Sequence, residues 1–245
     1  MNTWQEIIKL DSVNSTNDYT SNKLRHKKLP EGTIIYTKTQ TAGKGLGSNI
    51  WESENGKNLL LSLVLYPNFL EVKDQFLLSK AISLGIAEYC DTKTTGINIK
   101  WPNDIYYTKQ KLAGILIENS IKGCKIERSI IGIGLNLNQE KFISDAPNPI
   151  SLKQITTDNY EIIKELELLR KHIQTFYNKL RSNLNCLNNL YTERMFRYNQ
   201  FCAFKTDVGI EILKIVGVNE FGYLQTISKS EEKKEFDLKE IEFIL

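Results

Sequence analysis

The stretch at residues 127–138 limits the fold of this chain more than any other. Its odd positions Ile131, Ile133, Leu135 and Leu137 form a wholly apolar face, while its even positions Gly132, Gly134, Asn136 and Asn138 carry almost no side chain until two amides appear. Alternation with period two is the pattern of a strand whose apolar face is buried in a core. Glycine weakens a strand interior, so two of them at alternate positions require something else to lie against the bare face. A helix packed into a glycine groove meets that requirement, and so does a ligand. The expected partner strand is residues 111–118. Strict alternation there puts Lys111, Ala113, Ile115 and Ile117 on one face and Leu112, Gly114, Leu116 and Glu118 on the other.

A second glycine-rich stretch, Gln40-Thr-Ala-Gly-Lys-Gly-Leu-Gly-Ser-Asn-Ile-Trp51, follows a strand-like run at residues 33–39. Gly43, Gly45 and Gly47 alternate with Lys44 and Leu46, so successive backbone N–H groups are free to converge on a phosphate or carboxylate while Lys44 adds a mobile charge. A flexible hairpin loop fits the same residues. Neither of the two common nucleotide loops does: Lys44 is followed by Gly45 rather than Ser or Thr, and the chain runs on to Trp51 and another strand rather than into a helix. A nucleotide held here would be held in some other fold.

The remaining segments supply the frame. Asp11-Ser-Val-Asn-Ser-Thr-Asn17 precedes a predicted helix at residues 16–28, an N-cap that also suits a grip on a polar small molecule. Residues 59–66 read as a central strand apolar on both faces, and residues 74–91 as an amphipathic helix. A short strand, residues 97–100, delivers Trp101-Pro-Asn-Asp104, a turn in which Lys100 and Asp104 bracket an aromatic and a proline. The polar stretch at residues 139–152, containing Asp145-Ala-Pro-Asn-Pro149, has the length of a lid. Residues 158–187 return to helix, with His172 as a packing or surface residue. From Tyr198 the texture becomes short β-type runs at residues 210–218, 223–227 and 235–245, with a charged turn at 229–234, which suggests a small all-β module. The expected division is residues 1–197 and residues 198–245.

Composition narrows the function classes. A formal charge of +3, with Lys and Arg scattered among Asp and Glu, lacks the basic stripe of nucleic-acid binding. Cys90, Cys124, Cys186 and Cys202 show no paired spacing, and His26 and His172 stand far apart, so neither a metal cage nor a disulfide framework is expected. The first ten residues do not read as a signal peptide, and no apolar run approaches the ~20 residues of a membrane helix. The expectation is a cytoplasmic protein away from membranes. A glycine-rich anion loop, two interior-facing lysines (Lys44 and Lys111), a glycine-floored strand and a lid together suit the activation of a carboxylate by a nucleotide.

The motifs Asp11-Ser-Val-Asn-Ser-Thr-Asn17, Gln40-Thr-Ala-Gly-Lys-Gly45 up to Trp51, Lys100-Trp-Pro-Asn-Asp104, Lys111-Leu-Ala-Gly-Ile-Leu-Ile-Glu118 and Gly132-Ile-Gly-Leu-Asn-Leu-Asn138 occur in the order of a known family. The chain closely resembles the biotin protein ligases, strongly over residues 10–152 and weakly in the C-terminal module. The resemblance implies an α+β fold: a mixed β-sheet flanked by helices, similar to the class II aminoacyl-tRNA synthetase core and the lipoate ligases, plus a small C-terminal β-barrel. It implies two half-reactions. Biotin and MgATP give biotinyl-AMP and pyrophosphate, then a lysine of a biotin carboxyl carrier protein, of the acetyl-CoA carboxylase type, attacks the anhydride. ATP with its Mg2+ is the nucleotide substrate, no tightly bound metal is implied and no metal ligands are assigned.

By that resemblance Ser15, Thr16, Asn17, Gln40, Gly43, Lys44, Gly45, Leu46, Lys111, Gly114 and Gly132 would surround biotin. Lys44, Leu46, Trp51, Lys111, Gly134, Asn136 and Asn138 would meet the ATP or adenylate, with residues 139–149 closing over adenine. Lys111 would be the chief catalytic group, and Asp104 would orient or deprotonate the incoming amine. Two departures stand out. Lys44 replaces the family's first loop arginine, with Leu46, Ser48 and Asn49 where further glycine or arginine is common, and a lysine offers a point charge rather than a two-pronged fork. Only about ten residues precede the first motif, so the expectation is the monofunctional kind without a DNA-binding domain. A lipoate or octanoate ligase on the same fold, and a protein that binds biotin or biotinyl-AMP without turnover, are the alternatives; homodimerisation stays open.

Overall fold

The computed structural model describes residues 4–47, 49–143 and 148–244. Seven strands form one mixed sheet: β1 (Ile7–Val13), β2 (Ile34–Gln40), β3 (Leu59–Leu65), β4 (Ile97–Lys100), β5 (Asp104–Tyr107), β6 (Gln110–Lys122) and β7 (Lys125–Leu135). Their spatial order is β1-β2-β3-β7-β6-β5-β4. β1 and β2 run parallel, and the other neighbours are antiparallel. β6 and β7 pair Gly114 with Gly134 and Leu116 with Gly132, so the bare positions lie side by side in the middle of the sheet. β3, buried along its whole length, runs next to them, as an unbroken apolar strand must.

The apolar face of the sheet is covered by α2 (Gln75–Asp91) and α4 (Ile162–Ser182), which also pack on each other. The main core joins Ile131, Ile133 and Leu135 of β7 to Leu78, Ala81 and Ile82 of α2 and Leu166, Leu169 and Ile173 of α4. Each of the buried Leu and Ile side chains among these contributes about 1.5–3 kcal/mol. On the opposite face α1 (Thr16–His26) lies over a smaller core of Leu24, Leu29, Ile35, Val64 and Ile130. The glycines of β6 and β7 lie on this second face, beside the start of α1.

Several elements depart from the pattern expected of the sequence. β1 carries Lys9, Asp11 and Ser12 at the edge of the sheet and has no apolar alternation, so periodicity did not reveal it. β5 begins at Asp104, inside the predicted turn, and α4 is shorter than residues 158–187. Two short helices, α3 (Leu152–Thr156) and α5 (Asn188–Glu193), were not predicted; α3 is held by a Ser151–Gln154 capping box. His172 is a packing residue, edge-on to the Tyr89 ring.

The C-terminal module is a five-stranded antiparallel sheet of β8 (Phe201–Thr206), β9 (Gly209–Val218), β10 (Leu224–Ser228), β11 (Lys233–Phe236) and β12 (Ile241–Phe243), ordered β11-β10-β9-β8-β12. β11 starts within the predicted charged turn because Lys234 pairs with Thr226 across the sheet and with the Glu211 carboxylate at 2.6 Å. The predicted strand at residues 235–245 is therefore two shorter ones.

Candidate active site

One cavity of about 790 Å³ opens over the bare face of β6 and β7. Its walls are the start of α1, the glycine hairpin, the Trp101–Asp104 turn and the last strand of the C-terminal sheet. At the α1 wall, Ser15 is the N-cap and accepts from the Asp18 N–H. The Thr16 N–H and hydroxyl both donate to Gln40 Oε1, at 2.8 and 3.0 Å. Asn17 is buried: its amide nitrogen donates to Glu118 Oε2 at 2.7 Å and its oxygen accepts from the Ser62 hydroxyl at 2.6 Å.

The floor explains the glycines. A Cβ on Gly132 would stand 2.7 Å from Asn17 Oδ1, and one on Gly134 would stand 2.2 Å from Cε2 of Trp51. What lies against the bare strand is thus the protein itself, the first turn of α1 through Asn17 over Gly132 and the Trp51 indole over Gly134. Trp51 reaches the floor because residues 43–45 pair back on residues 49–51: Trp51 N–H donates to Gly43 O at 2.9 Å and Gly45 N–H to Asn49 O at 2.7 Å, around the pair Lys44 and Ile50. Gly43 braces this hairpin behind the cavity, while Lys44, Gly45 and Leu46 line it.

Two expectations about lysines are corrected by geometry. Lys44 does not face the interior. Its ammonium is half exposed and bound to Asp18 Oδ1 at 2.6 Å, a hydrogen bond that raises its pKa. Lys111 does not share a face with Ala113. The pairing of β5 with β6 shifts by one residue between Ile105 and Tyr106, and this bulge turns the Lys111 side chain onto the Gly114 side. There its ammonium stands 2.8 Å from Asp104 Oδ1 and 5.6 Å from the centre of the Trp51 ring. The pair is largely buried, with side chains 24% and 13% exposed. Trp51 Nε1 and Asn136 Oδ1 are buried without a hydrogen-bond partner among the described residues, a condition that native proteins keep rare.

Asn136 and Asn138 lie at the edge of this arrangement. Asn136 donates to Ile150 O at 3.0 Å; Asn138 is occupied on both sides of its amide by the Tyr160 backbone, so neither lines the cavity. The predicted lid falls partly outside the described residues, at Ser144, Asp145, Ala146 and Pro147. Its described flanks are anchored. Gln139 accepts from Asn58 and from the Glu54 N–H, and Lys111 N–H donates to Asn148 O at 2.8 Å while Ile150 N–H donates back to Lys111 O.

Residues of the C-terminal module that were not singled out in the sequence close the cavity beside the Lys100–Trp101 motif that was. Lys239, Ile241, Glu242 and Phe243 come from the C-terminal sheet. Lys100 sits between the rings of Tyr106 and Phe243, at 5.3 and 4.9 Å, and burial pushes its ammonium pKa down. Trp101 Nε1 donates to Gly222 O at 2.9 Å, fastening the turn that carries Asp104 to the C-terminal sheet. The charge of Lys100 beside an aromatic was legible, whereas the β12 residues carry no motif.

Residues 10–136 match the model of the biotin/lipoate A/B protein ligase family. The chain belongs to that family. Among curated members of this ligase family, it is 37% identical over 158 residues to the bifunctional ligase/repressor BirA of Bacillus subtilis, covering 62% of this chain and 46% of that one. It is 31% identical over 139 residues to biotin–protein ligase 2 of Arabidopsis thaliana, covering 53% and 40%. The chain therefore spans less than half the length of these curated relatives. The fold matches throughout. The biotin protein ligase of Aquifex aeolicus in complex with biotin and ATP superposes with a TM-score of 0.80 at 24% identity, covering 97% of this chain and 98% of that one. A mutant of that ligase in complex with biotin gives 0.78 at 25% identity, covering 98% of both.

Proposed function

We propose that this chain is a biotin protein ligase that activates biotin with ATP as biotinyl-AMP and passes it to one lysine of a biotin carboxyl carrier protein of the acetyl-CoA carboxylase type. The observation that carries the reading is the largely buried Lys111 side chain, set against Asp104 and over the Trp51 indole on a glycine floor, in a chain with curated relatives from Arabidopsis thaliana and Homo sapiens named as biotin–protein ligases. A cation in so sheltered a place acts on an anion more strongly than it would in water.

In the first step an oxygen of the biotin carboxylate attacks the α-phosphorus of ATP and the bond to pyrophosphate breaks. Lys111 offsets the negative charge that gathers on the carboxylate and the α-phosphate. Thr16 and Gln40 offer the polar edge for the biotin rings, and Ser15 and Asn17 complete that wall. Gly45 and Leu46 form the loop over the carboxylate, and Lys44 exchanges Asp18 for phosphate. Trp51, Gly114, Gly132 and Gly134 make the shared floor, and Asn136, just behind that floor with an unpartnered oxygen, is the amide the adenylate would meet on a small adjustment of the Ile150 contact. Mg2+ arrives with ATP. An ion of this kind is carried on the phosphates and keeps several of its own waters.

In the second step the carrier's lysine amine attacks the anhydride carbonyl, AMP leaves, and the amine's proton goes to a base. Asp104 faces the same cavity and serves as orienting group or acceptor. Residues 1–197 carry the chemistry in this reading, and residues 198–245 form the second domain, set where a carrier would approach. The described helices include none long and apolar enough to cross a membrane, and we place the reaction in the cytoplasm.

The test is to incubate the chain with biotin, MgATP and a purified carrier domain and to read the carrier by peptide mass spectrometry. Biotin on a single lysine, dependent on ATP and not replaced by lipoate, is expected. Lipoate in its place, or an unmodified carrier beside tightly bound biotin, would overturn the assignment.

A further inference from the structure

A second pocket, of about 550 Å³, lies at the other end of α1. It is bounded by the last residues after that helix, by the chain leaving β3 and by the β6–β7 hairpin. α1 has 11 residues and hence a length of roughly 16 Å, with Ser15 to Asn17 in the large cavity at one end and Leu24 and Lys28 in this pocket at the other. The two sites do not share a residue.

Four cationic side chains line the pocket, Lys28, Lys122, Lys125 and Arg128, against a single carboxylate, Glu127. Glu127 lies 3.9 Å from Lys122, an exposed contact that does little to hold it. Lys28, Lys125 and Arg128 have no ion-pair partner among the described residues, although ion pairs form at this rim and elsewhere in the chain. The nearby Glu71 is engaged by Lys73 at 3.1 Å. Arg128 is half buried: its Nη2 donates to the Ser120 hydroxyl at 2.9 Å, but its Nε is buried with no partner. A guanidinium with one donor buried and unused is a costly arrangement unless an acceptor reaches it. Lys28 lies 5.1 Å above the Tyr66 ring, and Asn68 adds an amide to the wall. Tyr66 itself donates its hydroxyl to Leu29 O at 2.7 Å, so its ring position is fixed.

We propose that this pocket is a binding site for a small multivalent oxyanion, a molecule bearing several phosphate or carboxylate groups. Arg128 gives the directed contact through its guanidinium, Lys28, Lys122 and Lys125 give the surrounding charge, and Asn68 adds an amide donor. The volume is that of a small-molecule site, and the charge is concentrated in one concavity rather than drawn out along a stripe as a nucleic-acid backbone would need. Bound there, the anion ties the β6–β7 hairpin to the end of α1 and removes the repulsion among the four cations. This assignment is independent of the ligase reading, since none of the residues involved touches the large cavity.

The experiment is a titration of the full chain with sodium pyrophosphate, read by calorimetry and by the rise in thermal unfolding temperature. Citrate is titrated in parallel, and sodium chloride at matched ionic strength is the control. Lys111→Ala serves as the background in which the large cavity is impaired. Saturable pyrophosphate binding that persists in that background is expected, with roughly a tenfold or greater loss of affinity in Arg128→Gln and in the fully surface-placed Lys125→Gln. Stronger binding of pyrophosphate than citrate assigns the natural ligand to the phosphates, and the reverse order assigns it to the carboxylates. Binding that does not saturate, that is equal in Lys125→Gln and the unaltered chain, or that disappears with Lys111→Ala would overturn the proposal. So would retention of a duplex DNA by a chain that does not respond to either small anion.

Discussion

Gly134 carries more of the site than its lack of a side chain suggests. The Trp51 indole rests where its Cβ would be, 2.2 Å from Cε2, and Trp51 in turn lies beneath the Lys111 ammonium. Gly134→Ala must therefore displace the indole, which has its Nε1 already buried without a partner. The chain is expected to fold with a loss of about 1–3 kcal/mol. Its tryptophan fluorescence should shift towards the exposed position, and biotin activation should fall by more than tenfold. A variant with native fluorescence and native turnover would show that the indole is not seated on this glycine. At this scale the sequence was informative where a residue type has one use. The paired glycines signalled a close approach, and Ser15 before α1 signalled a cap. It misled where a side chain's direction depends on its neighbour strand. The face of Lys111 is set by a bulge in its pairing with β5, and the direction of Lys44 is set by Asp18 on a different element.

Among the elements, α2 shows how a helix that reads as core material can hold a charge. Lys80 is 4% exposed, its ammonium donates to Asn188 Oδ1 at 2.9 Å, and the rings of Phe76 and Tyr191 each lie 5.7 Å away. Burial pushes its pKa down from the usual 10.5 to about 8. Above about pH 8 the folded chain sheds this proton while the unfolded chain still holds it, so the unfolded state binds more protons and stability rises with pH until about pH 10.5. Below about pH 8 the lysine is charged in both states and its desolvation cost is constant. Denaturant unfolding of the unaltered chain and of Lys80→Met should show a gap that narrows between about pH 8 and about pH 10 as Lys80 loses its charge. A gap that stays constant over that range would refute the assignment. Element existence was legible for β3 as an unbroken apolar run, for β7 from the alternation of its second half and for α2 as a long apolar stretch, which the fold buries on nearly every side rather than on one face as an amphipathic helix would be. β1 and β5 were hidden, since the first is a polar edge strand and the second has only four residues and starts in a turn motif.

For the molecule as a whole, the C-terminal sheet is part of the large cavity rather than an appendage. Its Phe243 packs on Lys100, and its Gly222 carbonyl accepts from Trp101, one end of the turn that carries Asp104. Trp101→Phe leaves that buried carbonyl unpaired and is expected to cost about 1–3 kcal/mol. Hydrogen exchange should quicken across β8 to β12 ahead of the large sheet, whereas uniform protection would mean that the contact does not join the two units. None of this was readable from the sequence, because contacts between distant strands leave no periodicity, while the five motifs around the cavity were readable because each keeps its chemistry within a few residues. The central claim is that the cavity over Gly132 and Gly134 activates biotin with ATP through Lys111. The most direct measurement is the exchange of labelled pyrophosphate into ATP with and without biotin. Exchange that requires biotin, and that falls by at least a hundredfold in a folded Lys111→Ala chain, is the expected result, a loss of about 2.7 kcal/mol of transition-state stabilisation. Exchange that proceeds without biotin, or at the unaltered rate in Lys111→Ala, would contradict it.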